Sequence, residues 1–110
     1  MGQTAERRSQ RILLDMPVVI RGESPERRAF EEETFTVTVS AHGLLLMLAE
    51  IVSVGQKLRV FNPSNRDERE GRVAYRGSVH AGLAQVGIEF TQPAPDFWPV
   101  NPPPRDWNSN

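Results

Sequence analysis

Hydrophobic and polar residues alternate with a period of two along two segments of the chain. In "ETFTVTVS" the apolar residues Phe35, Val37 and Val39 share one face, and the hydroxyl residues share the other. In "LAQVGIEF" the apolar positions from Ala84 to Phe90 alternate with polar residues and glycine. Successive side chains of a strand point to opposite sides, so this pattern predicts strands with one buried face. We therefore expect Phe35, Val37 and Val39 in the core and the hydroxyl groups outside it.

Four further strands are predicted from apolar runs between turn signals. They lie in "MPVVIRG", "LLLML", "KLRVFN" and "GRVAYRG", and Val73 and Tyr75 share one face of the last of them. The carboxylates at 31–33 and 67–70 are assigned to solvated loops, where runs of charge are common. Six short strands without a helical periodicity predict an all-β fold, either a small barrel or a sandwich.

The two ends of the chain differ from this strand-forming body, which spans residues 12–91. Residues 1–11 are expected to form a flexible cationic arm. Residues 92–110 form a tail that holds six of the nine prolines and both tryptophans. Proline lacks the amide donor of a central strand, so the tail is expected either to lie extended on the body or to be frayed. In the first case its contacts would be made by the aromatic residues Phe97, Trp98 and Trp107.

Composition narrows the classes of function. The 110 residues suffice for one compact domain, and a net charge of -1 gives no overall attraction to nucleic acid or anionic lipid. The absence of cysteine excludes a disulfide scaffold and thiolate chemistry, and it agrees with a reducing cytoplasm. No apolar run is long enough to span a membrane, and the start does not have the pattern of a signal peptide. We expect a cytoplasmic protein with no membrane span.

Residues suited to catalysis or metal binding are not apparent in the sequence. His42 and His80 fall in predicted turns, and neither has a partner at metal-ligand spacing. No glycine-rich loop joins a strand to a helix, so a nucleoside triphosphate site of the usual kind is not expected. We expect no enzyme, no metal and no cofactor.

The arm and the segment "TVSAHG" carry the chemistry of most interest. An arginine guanidinium can bind phosphate oxygens or guanine O6 and N7 with two parallel hydrogen bonds, and it can stack on a purine. Thr38 and Ser40 offer hydroxyl groups on the face opposite the apolar set, and Gly43 permits a positive φ and a close approach to the backbone. Taken separately, the arm is better explained as a solubilising terminus and the glycine as part of a plain hairpin turn.

Taken together, the segments resemble the PilZ domain, a bacterial receptor barrel for cyclic di-GMP. The similarity rests on Arg-x-x-x-Arg at 7–11, x-x-Ser-x-x-Gly at 38–43 and a final strand "VGIEF", and it spans roughly residues 6–91. It implies a six-stranded antiparallel β-barrel preceded by a flexible arm. The ligand would be cyclic di-GMP rather than a cofactor.

The resemblance also implies the residues of the site. Arg7 and Arg11 match the arginines that hold the phosphates and guanine edges, and Ser40 and Gly43 match the second motif. Thr38 stands where the family has Asp or Asn, and threonine has a shorter reach and a single hydroxyl. The expected ligand-binding residues are therefore Arg7, Arg8, Arg11, Thr38, Ser40 and Gly43.

Three functions remain open at this stage. The first is a non-catalytic cyclic di-GMP-binding protein that signals to an effector protein when its arm becomes ordered. The second is a PilZ barrel that does not bind the nucleotide and acts as a protein-interaction adaptor, which Thr38 and the aromatic tail favour. The third is a barrel that binds single-stranded nucleic acid through exposed aromatic and basic residues. The negative net charge and the apolar registers of the strand aromatics disfavour it.

Overall fold

The computed structural model describes residues 9–24 and 26–107. Within these ranges the chain forms seven β-strands and one short 3₁₀ turn. They are β1 (Ile12–Leu13), β2 (Pro17–Glu23), β3 (Ala29–Ser40), β4 (Gly43–Leu48), β5 (Lys57–Asn62), β6 (Asp67–His80), β7 (Leu83–Phe90) and the 3₁₀ turn (Arg105–Trp107).

Six of these strands close into a barrel in which every neighbouring pair is antiparallel. The order around the barrel is β3-β2-β5-β6-β7-β4, and β4 returns to pair with β3. The two-residue strand β1 pairs with the end of β3 from outside this ring. The predicted six-stranded antiparallel barrel is confirmed, with β1 as one additional strand.

Strand β7 follows the alternation seen in the sequence along its whole length. Ala84, Val86, Ile88 and Phe90 are all buried, and each is at most 5% exposed. Its partners β4 and β6 contribute Leu46 and other buried aliphatic residues to the same core.

Strand β3 breaks the expected alternation at a β-bulge. Thr36 and Thr38 pair with consecutive residues of β4, which leaves Val37 without a partner in β4. An extra residue in one strand reverses the faces of the residues on either side of it. Phe35 is consequently 59% exposed and Thr36 is buried, so their predicted positions were wrong, while Val39 lies in the core as predicted. Val37 is only partly buried.

Strand β6 has a bulge of the same kind. Val73 pairs with Ile88 and Tyr75 pairs with Gly87, so Ala74 has no partner between them. Val73 is buried, whereas Tyr75 is 51% exposed. The prediction that Val73 and Tyr75 share a face was therefore wrong, because it assumed an unbroken period of two.

The acidic runs lie in strands rather than in the loops predicted for them. Residues 31–33 belong to β3 and residues 67–70 to β6. Three of their carboxylates, those of Glu31, Glu68 and Glu70, pair with cationic side chains on neighbouring strands. Arg21 donates to Glu68 at 3.0 Å and to Glu31 at 3.2 Å. These two carboxylates, Glu68 first, raise the pKa of Arg21. Charged residues are accommodated in these strands because one face of the barrel wall is open to water.

The proline-rich tail lies on the barrel, which is the first of the two arrangements expected for it. Phe97, Trp98 and Trp107 are each at most 3% exposed. Phe97 packs edge-on against Phe90 and Trp98, with ring centroids 5.4 and 4.8 Å apart. Asn62 donates from its buried side-chain amide to the Phe97 carbonyl at 2.8 Å. The tail aromatics thus complete the hydrophobic core.

The described part of the chain contains no helix of the length and apolarity that crossing a bilayer requires.

Candidate functional site

A groove of about 540 Å³ lies beside the turn between β3 and β4. Its walls come from the end of the arm, from this turn, and from the middle of β6 and β7. The lining residues are Ser9, Arg11, Thr38, Val39, Ser40, His42, Gly43, Leu44, Leu45, Ala74, Tyr75, Gln85, Gly87, Ile88 and Glu89.

Four of the residues predicted for the site line this groove. Arg11 comes from the arm, and Thr38, Ser40 and Gly43 come from the end of β3 and the start of β4. The bulge precedes Thr38, so Thr38 remains partly exposed beside the buried Val39. Ser40 was expected outside the core, but it is only 8% exposed, and its hydroxyl oxygen accepts a hydrogen bond from the His42 amide at 3.2 Å. The groove therefore combines a guanidinium from one segment with two hydroxyl residues from another.

The arm is described from residue 9 onward, so the predicted site residues Arg7 and Arg8 lie outside the described residues. Ser9 is 2% exposed, and its hydroxyl lies 3.0 Å from Nδ1 of His42. A free arm would not make this contact, so the described end of the arm is attached to the barrel. Arg11, two residues further on, is exposed at the rim of the groove.

The turn that follows Ser40 is held by hydrogen bonds from the barrel and the tail. The carbonyl groups of residues 40–42 each accept one hydrogen bond. Trp98 Nε1 donates to the first of them at 2.9 Å, the Ala94 amide to the second at 2.7 Å and the Phe90 amide to the third at 2.8 Å. With its carbonyl groups satisfied in this way, the turn presents a fixed backbone to the groove.

Gly43 has a structural reason to be glycine. A Cβ at this position would lie 2.0 Å from the backbone oxygen of Ile88. The positive φ that the sequence allowed is not used, since the positive-φ glycines of the described residues are Gly55 and Gly82. Gly43 therefore permits the close approach of β4 to β7 that forms the floor of the groove.

Tyr75 is a groove residue that the sequence pattern did not identify. Its ring is half exposed on the wall formed by β6, next to Gly87 and Gln85 of β7. An unbroken alternation along β6 predicted that Tyr75 shares the face of the buried Val73, but the bulge at Ala74 turns Tyr75 outward. An aromatic face in a groove can stack on a nucleobase. His42 was also left out of the predicted site because it lacked a metal partner, yet it lines the groove and holds Ser9.

The chemistry of this groove suits a polar anion that carries aromatic rings. Arg11 supplies a permanent positive charge, Thr38 and Ser40 supply hydroxyl groups, and Tyr75 supplies an aromatic face. The described residues contain no cluster of three or more His, Cys, Asp or Glu able to hold a metal ion.

The closed barrel and its groove define the class of the protein: a small antiparallel β-barrel domain with a polar groove at one of its turns. The chain belongs to the PilZ domain family, whose sequence profile matches residues 5–96. PilZ domains are receptors for cyclic di-GMP and are generally not catalytic.

Two solved structures share this fold. The chain superposes with a TM-score of 0.56 and 24% identity on the inhibitor of motility MotI/DgrA of Bacillus subtilis. The matched region covers 80% of this chain and 44% of MotI/DgrA. The PilZ domain of YcgR from Escherichia coli, solved with c-di-GMP, gives a TM-score of 0.56 at 12% identity and 78% coverage of both chains. The chain thus spans less than half the length of MotI/DgrA. No curated protein matches the sequence.

Proposed function

We propose that this chain binds cyclic di-GMP in the groove between the arm and the β3–β4 turn and does not transform it. The proposal is carried by one observation: the groove brings Arg11 of the first motif beside Thr38, Ser40 and Gly43 of the second. The two motifs lie far apart in the sequence, and their meeting at one groove is what a shared ligand requires.

Each group in the groove has a role in this proposal. The Arg11 guanidinium binds a phosphate or a guanine edge through two parallel N–H groups, and Arg7 and Arg8 contribute further cations from the arm. Thr38 and Ser40 form hydrogen bonds with polar edges of the base, and Tyr75 stacks on its face. No step in this scheme makes or breaks a covalent bond.

We further propose that the signal is the ordering of the N-terminal arm over the bound nucleotide. The arm brings arginines to the ligand, so its conformation changes when phosphates replace water as their partners. An effector protein in the bacterial cytoplasm would then bind the ordered arm and the nucleotide together.

Calorimetry of the purified chain tests this proposal. Cyclic di-GMP should bind, while GTP and cyclic di-AMP at the same concentrations should not. Arg11→Ala should weaken binding by at least about 1.5 kcal/mol, the contribution of a charge-assisted hydrogen bond. Arg59→Ala is the matched control, since Arg59 is an exposed arginine of β5 outside the groove. Absence of binding at millimolar cyclic di-GMP would exclude the receptor function.

A second candidate function is that of an adaptor that has lost nucleotide binding. It is favoured by Thr38 and by a shallow apolar surface around Leu13 and Phe35, which are 83% and 59% exposed. Exposed apolar patches of this kind are typical of protein contacts. The same calorimetry separates the two functions, because an adaptor of this kind has no affinity for the nucleotide.

A further inference from the structure

We propose that the C-terminal tail positions the arm for ligand binding, with Asp106 and Trp107 acting as a clasp on Gln10. The effect of the clasp on cyclic di-GMP affinity rests on the proposed function, whereas the contacts of the clasp do not depend on it. The clasp is defined as Gln10 together with Asp106 and Trp107. It is a positioning device, since none of its side chains lines the groove.

The clasp holds both backbone polar groups of one arm residue. The Gln10 amide donates to the Asp106 carboxylate, at 2.9 Å to Oδ2 and 3.1 Å to Oδ1. The Trp107 indole donates from Nε1 to the Gln10 carbonyl at 2.7 Å. Two adjacent tail side chains therefore bind the backbone of a single arm residue, which lies 96 and 97 positions earlier in the chain.

One half of the clasp is anchored in the core, whereas Gln10 and Asp106 are exposed. Trp107 is 3% exposed and belongs to the hydrophobic core cluster, so its indole is held by packing. The hydrogen bond from Gln10 to Asp106 has a charged acceptor, which makes it stronger than a neutral one. A segment near a chain terminus would otherwise keep its backbone groups in water.

The position of the clasp in the arm connects it to the ligand site. Gln10 lies within the Arg-x-x-x-Arg spacing and directly precedes Arg11. On its other side Ser9 is held by His42. With Ser9 and Gln10 both held, the backbone that carries Arg11 is held beside the groove that Arg11 lines. Such preorganisation lowers the entropy lost on binding.

The same tail supports the other half of the site. Trp98 donates to the Ser40 carbonyl at 2.9 Å, and the Ala94 amide donates to the Ala41 carbonyl at 2.7 Å. One segment thus holds both motifs in their relative positions. The family match ends at residue 96, so the clasp belongs to this chain's own tail rather than to the matched family pattern.

Hydrogen exchange of the full chain tests the clasp without any ligand. In Asp106→Ala the amides of residues 9–12 should exchange faster, while those of β7 should exchange as in the native chain. Trp107→Phe, which keeps an aromatic ring but removes the donor, should change the exchange in the same direction. Asp96→Ala is the matched control, because Asp96 is an exposed tail carboxylate for which the described residues supply no hydrogen bond or ion pair. Unchanged exchange at residues 9–12 in both clasp variants would overturn the proposal.

Calorimetry with cyclic di-GMP then tests the effect on the site. Asp106→Ala should weaken binding about tenfold, the effect of losing one hydrogen bond to a charged group. The loss should be absent in the Arg11→Ala background, because the clasp acts through the arm. A purely structural role predicts equal losses in both backgrounds and would overturn the positioning role. Faster exchange with unchanged affinity would overturn it too.

Failure of the proposed function would be recognised separately. If the native chain does not bind cyclic di-GMP, the receptor function fails, and the exchange measurement alone decides whether the tail holds the arm.

Discussion

At Gly43 the barrel leaves no room for a side chain. The carbonyl oxygen of Ile88 would lie 2.0 Å from a Cβ, and this oxygen belongs to the backbone of a paired strand, so it cannot rotate away. Gly87, in the same groove, is different. A Cβ there would meet the Tyr75 Cβ at 3.4 Å, which is an ordinary contact. Both glycines line the groove, but only Gly43 is sterically required to be glycine.

Gly43→Ala should destabilise the domain by at least about 2 kcal/mol, because β4 and β7 must separate to admit the methyl group. Gly87→Ala, as the control, should change stability by less than about 1 kcal/mol. Urea unfolding followed by circular dichroism measures both. Equal destabilisation by the two changes would show that the β4–β7 approach is not the reason for glycine at position 43.

Thr38 is the residue at which the chain departs from the family motif, and it lines the groove. Thr38→Asn should tighten cyclic di-GMP binding by about 1–2 kcal/mol, because the longer amide regains one hydrogen bond to a guanine edge. Calorimetry measures the change, and Thr91→Asn, at an exposed position beyond β7, is the control. An unchanged affinity would mean that position 38 does not contact the ligand.

At the scale of the elements, two bulges decide which side chains of β3 and β6 face outward, and one of them brings Tyr75 to the groove. The bulge at Val37 turns Phe35 outward and Thr36 inward, and the bulge at Ala74 turns Tyr75 outward. Strand β7 has no break in its pairing with β4, and its alternation is regular. The bulges therefore re-aim side chains on the two strands that flank the site.

The sequence predicted the elements better than their faces. The alternation along β7 was fully predictable, since it depends only on the strand itself. The face of Phe35 or Tyr75 was not, because a bulge depends on the partner strand's register, which a local pattern does not contain. Among the groove residues, Arg11 and Thr38 could be identified from the spacing of the two sequence motifs. Contacts between distant segments, such as those of the clasp, leave no local pattern.

The bulge in β3 predicts that a charge at position 35 is tolerated, whereas an unbroken alternation would place both Phe35 and Val39 in the core. Val39→Asp should cost about 3–5 kcal/mol or more and unfold much of the population, because it buries an unpaired charge in a domain of ordinary stability. Phe35→Asp should change stability by less than about 1 kcal/mol, since Phe35 is 59% exposed. Thermal unfolding of both variants measures this. Similar destabilisation by the two changes would contradict the bulge.

At the scale of the whole molecule, the tail is part of the domain rather than an appendage to it. Phe97 is fully buried and packs edge-on against the rings of both Phe90 and Trp98. A barrel of this size buries little apolar surface, so three large aromatic side chains from the tail make a substantial contribution to its core.

Phe97→Ala should therefore reduce the free energy of unfolding by about 3–5 kcal/mol, the range for removing a buried phenylalanine. Val54→Ala is the control at an exposed apolar position, with 66% exposure, and should have an effect of about 0.5 kcal/mol or less. Denaturant unfolding measures both. A small effect at Phe97 would mean that the tail is not part of the cooperative unit.

The assignment of the groove as the cyclic di-GMP site is tested most directly by an amide-resolved NMR titration of the full chain. Cyclic di-GMP should shift the amide signals of residues 38–43, Arg11, Tyr75 and Gly87, and equal concentrations of GTP should not. The absence of any shift at millimolar cyclic di-GMP would contradict the assignment. A shift confined to the face around Leu13 and Phe35, which lies outside the groove, would contradict it as well.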